Sequence, residues 1–82
     1  MRKDGIEAWK KPLTGDRTAI AILNRNSSER SVKMLFTELE LDAGINYEVY
    51  DVWRHEKTKQ NKGNFNVDLK PHECLVFILS QI

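Results

Sequence analysis

Two aspartates, two histidines and one cysteine are the side chains of this sequence whose surroundings invite a chemical reading. Asp51 and Asp68 each lie inside an alternating apolar segment, and two carboxylates sharing a pocket can act as general acid and general base. Asp51 ends residues 46–53 (NYEVYDVW) and shares a strand face with Tyr47, Val49 and Trp53. A strand-end aspartate in that setting is expected to accept backbone amide hydrogen bonds or to pair with Arg54. His72 and Cys74 are two positions apart and can point the same way along a strand. A nucleophilic thiol needs a partner that holds it as the thiolate, and an open pocket. The expected reading is a buried structural cysteine beside a turn histidine. His55, His72 and Cys74 lack the paired spacing of a metal site, and Gly5, Gly15, Gly44 and Gly63 are isolated turn residues, not a phosphate loop. The sequence therefore predicts no catalytic residue, no metal and no cofactor.

Four aromatic residues remain. Trp9, Trp53, Tyr47 and Tyr50 are candidates for sugar contact, where a ring stacks on a pyranose, or for anchors between domains, since each buries a large area. Residues 54–62 are rich in Lys and Arg but carry no aromatic, so they read as a solvated hairpin and not as a nucleic-acid groove. The charges nearly cancel, 13 basic against 12 acidic, which argues against nucleic acid or an anionic membrane as partner. Asn26-Ser27-Ser28 is a glycosylation sequon of the kind that also arises by chance.

The elements that must position these residues follow from a period of two. Residues 17–24 (RTAIAILN) are apolar at nearly every position, with Thr18, Ile20 and Ile22 on one face and Ala19, Ala21 and Leu23 on the other. Residues 30–36 alternate cleanly, Val32, Met34 and Phe36 against Ser31, Lys33 and Leu35, as a half-buried strand does. Residues 37–46 form a connection, with Leu39, Leu41 and Ile45 tucked under it. Residues 46–53 are a strand rich in aromatic and β-branched side chains. Residues 54–64 are predicted to hold a short edge strand and a long hairpin tip. Phe65, Val67 and Leu69 mark another half-buried strand, and residues 73–80 (ECLVFILS) a last one, apolar on both faces. Asn26 to Glu29 is expected to be a tight hairpin tip. About seven to eight short strands with turn signals between them predict an all-β, antiparallel two-sheet sandwich. A chain of 82 residues has room for one core, so residues 1–82 are expected to form one domain.

Two strands apolar on both faces have a consequence. A two-sheet sandwich has one dry and one wet face per sheet. Two doubly apolar strands side by side leave an apolar outer patch, which marks a partner surface.

The ordered residues resemble the C-terminal β-sandwich domain of α-galactosidases and α-N-acetylgalactosaminidases of glycoside hydrolase family 27. The features are Trp9-Lys10-Lys11-Pro12-Leu13, the Gly15-Asp16 turn, the apolar strand ending in Asn24-Arg25, Asp51-Val52-Trp53, and Pro71-His72 before the closing apolar run of residues 74–79. The chain departs from that pattern at Glu73-Cys74, where a small residue is common. The resemblance implies Greek-key-like connections and a catalytic (β/α)8 barrel upstream in the same polypeptide, which this domain braces. In such enzymes two aspartates of the barrel are nucleophile and acid/base. No position here matches them, so the resemblance implies a non-catalytic accessory domain of a glycosidase. The alternatives are an autonomous carbohydrate-binding module using Trp9, Trp53, Tyr47 and Tyr50, and a protein-interaction sandwich unrelated to sugars. No apolar run approaches the roughly 20 residues that span a membrane, and the first residues lack an apolar signal-peptide core. The chain is expected to be soluble, its compartment open.

Overall fold

The computed structural model describes residues 2–82, apart from the side chains of Lys59 and Gln60. The alternating segments become eight strands: β1 (Arg2–Lys3), β2 (Ile6–Leu13), β3 (Arg17–Asn24), β4 (Arg30–Leu35), β5 (Asn46–Asp51), β6 (Glu56–Lys62), β7 (Asn64–Leu69) and β8 (Cys74–Gln81). Six form one antiparallel sheet in the order β1-β2-β3-β8-β5-β6, and β4 and β7 form the second. The last strand inserts between β3 and β5, so a strand from the far end of the chain joins one from its first third to one from its middle. This is the antiparallel sandwich that the alternation predicts, with the Greek-key-like connections that the family resemblance implies.

The turn chemistry explains the hairpins. Asp4 and Gly5 both have positive φ, 53° and 77°, as the two-residue turn that matches strand twist requires. Gly15 and Asp16 also have positive φ, 73° and 56°, in the three-residue loop between β2 and β3, which pair from Ile6↔Asn24 to Leu13↔Arg17. Pro12 is tolerated inside β2 because β1 pairs only with Ile6 and Glu7, leaving the proline on a sheet edge where no ladder bond is lost.

The dry interior takes one parity from every long strand. Ile20 and Ile22 of β3, Leu75, Phe77 and Leu79 of β8, and Tyr47 and Val49 of β5 meet Met34 of β4 and Phe65, Val67 and Leu69 of β7. Phe36 joins them: its ring meets Tyr47 edge-on at 5.0 Å, and Phe65 meets Phe77 in the same way at 5.4 Å. Such pairs add roughly 0.5–1.5 kcal/mol beyond area burial. The connection between β4 and β5 closes one end, with Leu39 buried and Leu41 and Ile45 packed against the core. Lys10 Nζ donates to the Glu40 carbonyl at 3.2 Å and holds this connection to β2.

Three expectations change. Residues 26–29 are not a hairpin tip, because β3 and β4 lie in different sheets. They form a corner organised by Asn24, whose Nδ2 is within 3.0 to 3.3 Å of the carbonyls of Ser28, Leu69 and Lys70. The long tip expected within residues 54–64 is also absent. β6 runs to Lys62 and turns into β7 through Gly63 alone, at φ 83°, while the β5–β6 turn takes residues 52–55. Trp53, expected on the face of Tyr47 and Asp51, leaves the strand because Asp51 Oδ1 accepts from the backbone N–H groups of both Trp53 and Arg54, at 3.0 and 3.1 Å. That bonding reverses the chain and settles the role of Asp51 as a turn anchor.

Candidate functional site: the outer face of the six-stranded sheet

The outward parity of the large sheet is apolar across its middle. Strand pairing aligns Trp9 with Ala21 and Ala21 with Val76. The Val52 N–H donates to the Val76 carbonyl at 3.1 Å and extends this row. The neighbouring row runs Lys11, Ala19, Ile78, Tyr50 and Lys57, and Leu23 faces Cys74 on the other side. These positions alternate with the buried Ile20, Ile22, Leu75, Phe77 and Leu79, so they face away from the core. The outer patch expected from two adjacent doubly apolar strands is therefore built, by β3 and β8.

Charges ring it. Glu7 Oε1 pairs with Arg25 Nε at 2.8 Å and Arg2 Nε at 3.2 Å. Lys57 Nζ lies 3.9 Å from Glu48 Oε1 on the opposite flank. The outward face of the small sheet is polar except at its end: Ser31 and Asp68 hydrogen-bond at 2.7 Å, Lys33 stands opposite Asn66, and Leu35, opposite Asn64, is the one exposed apolar side chain of its paired length among the described residues.

The four aromatic candidates separate. Trp9 is 52% exposed on the outer face, its ring flanked by shallow hollows lined by Arg2 and Glu7 on one side and Glu38 and Glu40 on the other. Tyr50 is half-buried on the same face, its Oη 2.7 Å from His55 Nδ1. Trp53 is 67% exposed on the β5–β6 turn. Tyr47 is only 4% exposed and is a core ring, so no platform of four rings exists. The parity of β5 decides this: Tyr47 and Tyr50 are three positions apart and fall on opposite faces.

The other chemical candidates stay apart as well. Cys74, expected buried, is exposed, because it opens β8 on the outward parity opposite Leu23. His72 lies in the preceding turn with φ 57°. Among the described residues no group of three His, Cys, Asp or Glu is placed to hold a metal ion. The sequon at Asn26 is closed: its Nδ2 donates to the Asp4 carbonyl and to Asn24 Oδ1, both at 3.0 Å. No helix of the structure is long and apolar enough to cross a membrane.

Comparison with known proteins agrees with this architecture. Residues 3–79 match the family described as the α-galactosidase C-terminal β-sandwich domain. α-Galactosidase 3 of Arabidopsis thaliana is 30% identical over 78 residues, which is 94% of this chain but 18% of that protein. The α-galactosidase of Coffea arabica is 28% identical over 75 residues, 92% of this chain and 20% of that protein. The crystal structure of α-galactosidase I from Mortierella vinacea superposes with a TM-score of 0.86 at 14% identity, covering 96% of this chain and 21% of that one. The chain thus spans about a fifth of the length of the relatives it matches.

Proposed function

This chain belongs to the family of α-galactosidase C-terminal β-sandwich domains, and on that premise we propose that it is the accessory domain of a longer α-galactosidase-like glycosidase. It docks the outer face of its six-stranded sheet against the catalytic barrel of that polypeptide. The barrel performs the hydrolysis; this domain covers apolar surface that would otherwise meet water.

One observation carries the reading: the contrast between the two outward faces. A free-standing sandwich has polar side chains outward on both sheets. Here the small sheet follows that rule apart from Leu35 at its end, while the large one presents Ala19, Ala21, Leu23, Val76 and Ile78 inside a charged rim. An apolar centre with a polar rim is the anatomy of a protein interface. Trp9 and Tyr50 are its anchors, in keeping with the weight that Trp and Tyr carry at the centres of interfaces.

Cys74 tests this without any substitution, because its thiol lies on the proposed face. N-ethylmaleimide should modify Cys74 rapidly in the 82-residue chain and at least about tenfold more slowly in the longer enzyme, as a buried thiol reacts only through opening. Equal rates would refute docking through this face.

A further inference from the structure

We infer that the open groove between β6 and β7 binds one neutral pyranose unit. This inference is independent of docking, because the groove lies at the seam of the two sheets and not on the outer face of the large one.

β6 pairs with β5 in the large sheet, and β7 pairs with β4 in the small one. Linked only through Gly63, they diverge and leave a cavity of about 310 Å3. This is at the small end of the roughly 300–1,000 Å3 typical of ligand sites. Phe65 and Phe77 are at its floor, with Val49 and Val67 beside them. The residues that line it also include Asp51, Glu56, Asp68, Asn61, Asn64, Asn66 and Arg54, of which Asp68 is already engaged by the Ser31 hydroxyl at 2.7 Å on the outward face of the small sheet.

The chemistry of the walls selects the ligand by elimination. Asp51 and Glu56 against one guanidinium disfavour an anion. The carboxylates are not grouped for a metal ion among the described residues. An apolar ligand would strip water from many polar groups without replacing its hydrogen bonds. An added peptide strand needs a regular edge, and the β5–β6 ladder slips between Tyr47 and Val49. A neutral molecule rich in hydroxyls meets every requirement, because each hydroxyl donates to a carboxylate or amide oxygen and accepts from an amide or guanidinium N–H.

Part of the wall is already fixed. Asn61 Nδ2 donates to the carbonyls of Tyr47 and Thr58, at 3.2 and 2.6 Å, which leaves its Oδ1 as an oriented acceptor. Asp51 is held through Oδ1 by two backbone amides, and its Oδ2 stands 3.8 Å from Arg54 Nη1. Asn64 and Asn66 belong to the lining as well, and their side chains make no hydrogen bond with another described residue. Such second contacts hold recognition groups in place before the ligand arrives.

The test is an amide-resolved NMR titration of the 82-residue chain with D-galactose and D-glucose up to about 50 mM, with glycerol as control. A ligand of this size in an open groove binds with Kd on the order of 1–10 mM. The expected result is a saturable shift centred on residues 54–67 with at least one of the sugars. Asn66→Ala and Arg54→Ala should each weaken it about tenfold, with the rest of the spectrum unchanged, and Trp9→Ala should leave it intact. No saturable shift with either sugar, the same response to glycerol, or shifts centred on Trp9 and Val76 would each overturn the assignment. None of those results touches the Cys74 protection expected from docking.

Discussion

Asn24 Oδ1 accepts from both the backbone N–H of Asn26, at 2.9 Å, and its side-chain Nδ2, at 3.0 Å. Through its own Nδ2, Asn24 reaches the carbonyls of Ser28, Leu69 and Lys70. One fully buried amide therefore ties the end of β3 to the corner that follows it and to the turn before β8.

Replacing Asn24 by Asp retains the shape and removes both donors, leaving a carboxylate against three carbonyls. An unsatisfied buried polar group costs about 1–3 kcal/mol, and more when charged. Asn24→Asp should thus lower stability in urea by about 3 kcal/mol at neutral pH. The loss relative to the parent sequence should shrink near pH 3, where the protonated acid regains one donor. A loss independent of pH would show that the donors are not what matters.

Gly5 is closed to any side chain for two separate reasons. Its φ is +77°, and a Cβ there would lie 2.7 Å from both Asn26 side-chain Nδ2 and Oδ1. Gly5→Ala should cost about 2 kcal/mol, part from backbone strain and part from the clash. In a double-mutant cycle with Asn26→Ala, the coupling should recover the clash and leave the backbone share. Strict additivity would mean that the clash is absorbed by movement.

Adjacent residues on β8 should behave oppositely. Phe77 points into the core and Ile78 onto the outer face. Phe77→Ala should cost about 3–5 kcal/mol, close to the whole stability expected of so small a domain. Ile78→Ser should cost under about 1 kcal/mol in the 82-residue chain, yet a larger amount in the longer enzyme where the face is covered. Thermal unfolding of both variants in both proteins checks this, and equal penalties for Ile78→Ser would argue against an interface.

Glu7 has two arginine partners of unequal worth. Its side chain is 11% exposed, whereas Arg25 is 57% and Arg2 81% exposed. The shorter, better covered pair should contribute about 1 kcal/mol and the other close to nothing. Arg25→Ala should then lower the urea midpoint and Arg2→Ala leave it in place, with the difference fading in high salt.

The sequence was informative where periodicity alone decides. The alternation of Val32, Met34 and Phe36, and of Phe65, Val67 and Leu69, predicts which residues reach the core, since a strand has only two faces. The double apolarity of residues 17–24 and 73–80 announces the outer patch. It was uninformative where one side chain redirects the backbone. The alternating pattern carries Trp53 onto a strand face, but the Asp51 carboxylate turns the chain first. Cysteines are usually buried, but the parity of β8 places Cys74 outside. The groove had no local signal at all: Arg54, Asn61 and Asn66 converge only because β6 and β7 enter different sheets.

The placement of β8 bears on how the chain is made. β3 and β5 share no ladder of their own, and each closes its row of backbone bonds on the strand between them. During synthesis, every residue before Cys74 can emerge without the large sheet being able to join its two halves. The first half, with its apolar β3 edge open, must wait for Leu75, Phe77 and Leu79 to arrive. A domain wired in this way commits late and all at once, and in that interval its exposed edge is open to pairing with the wrong chain.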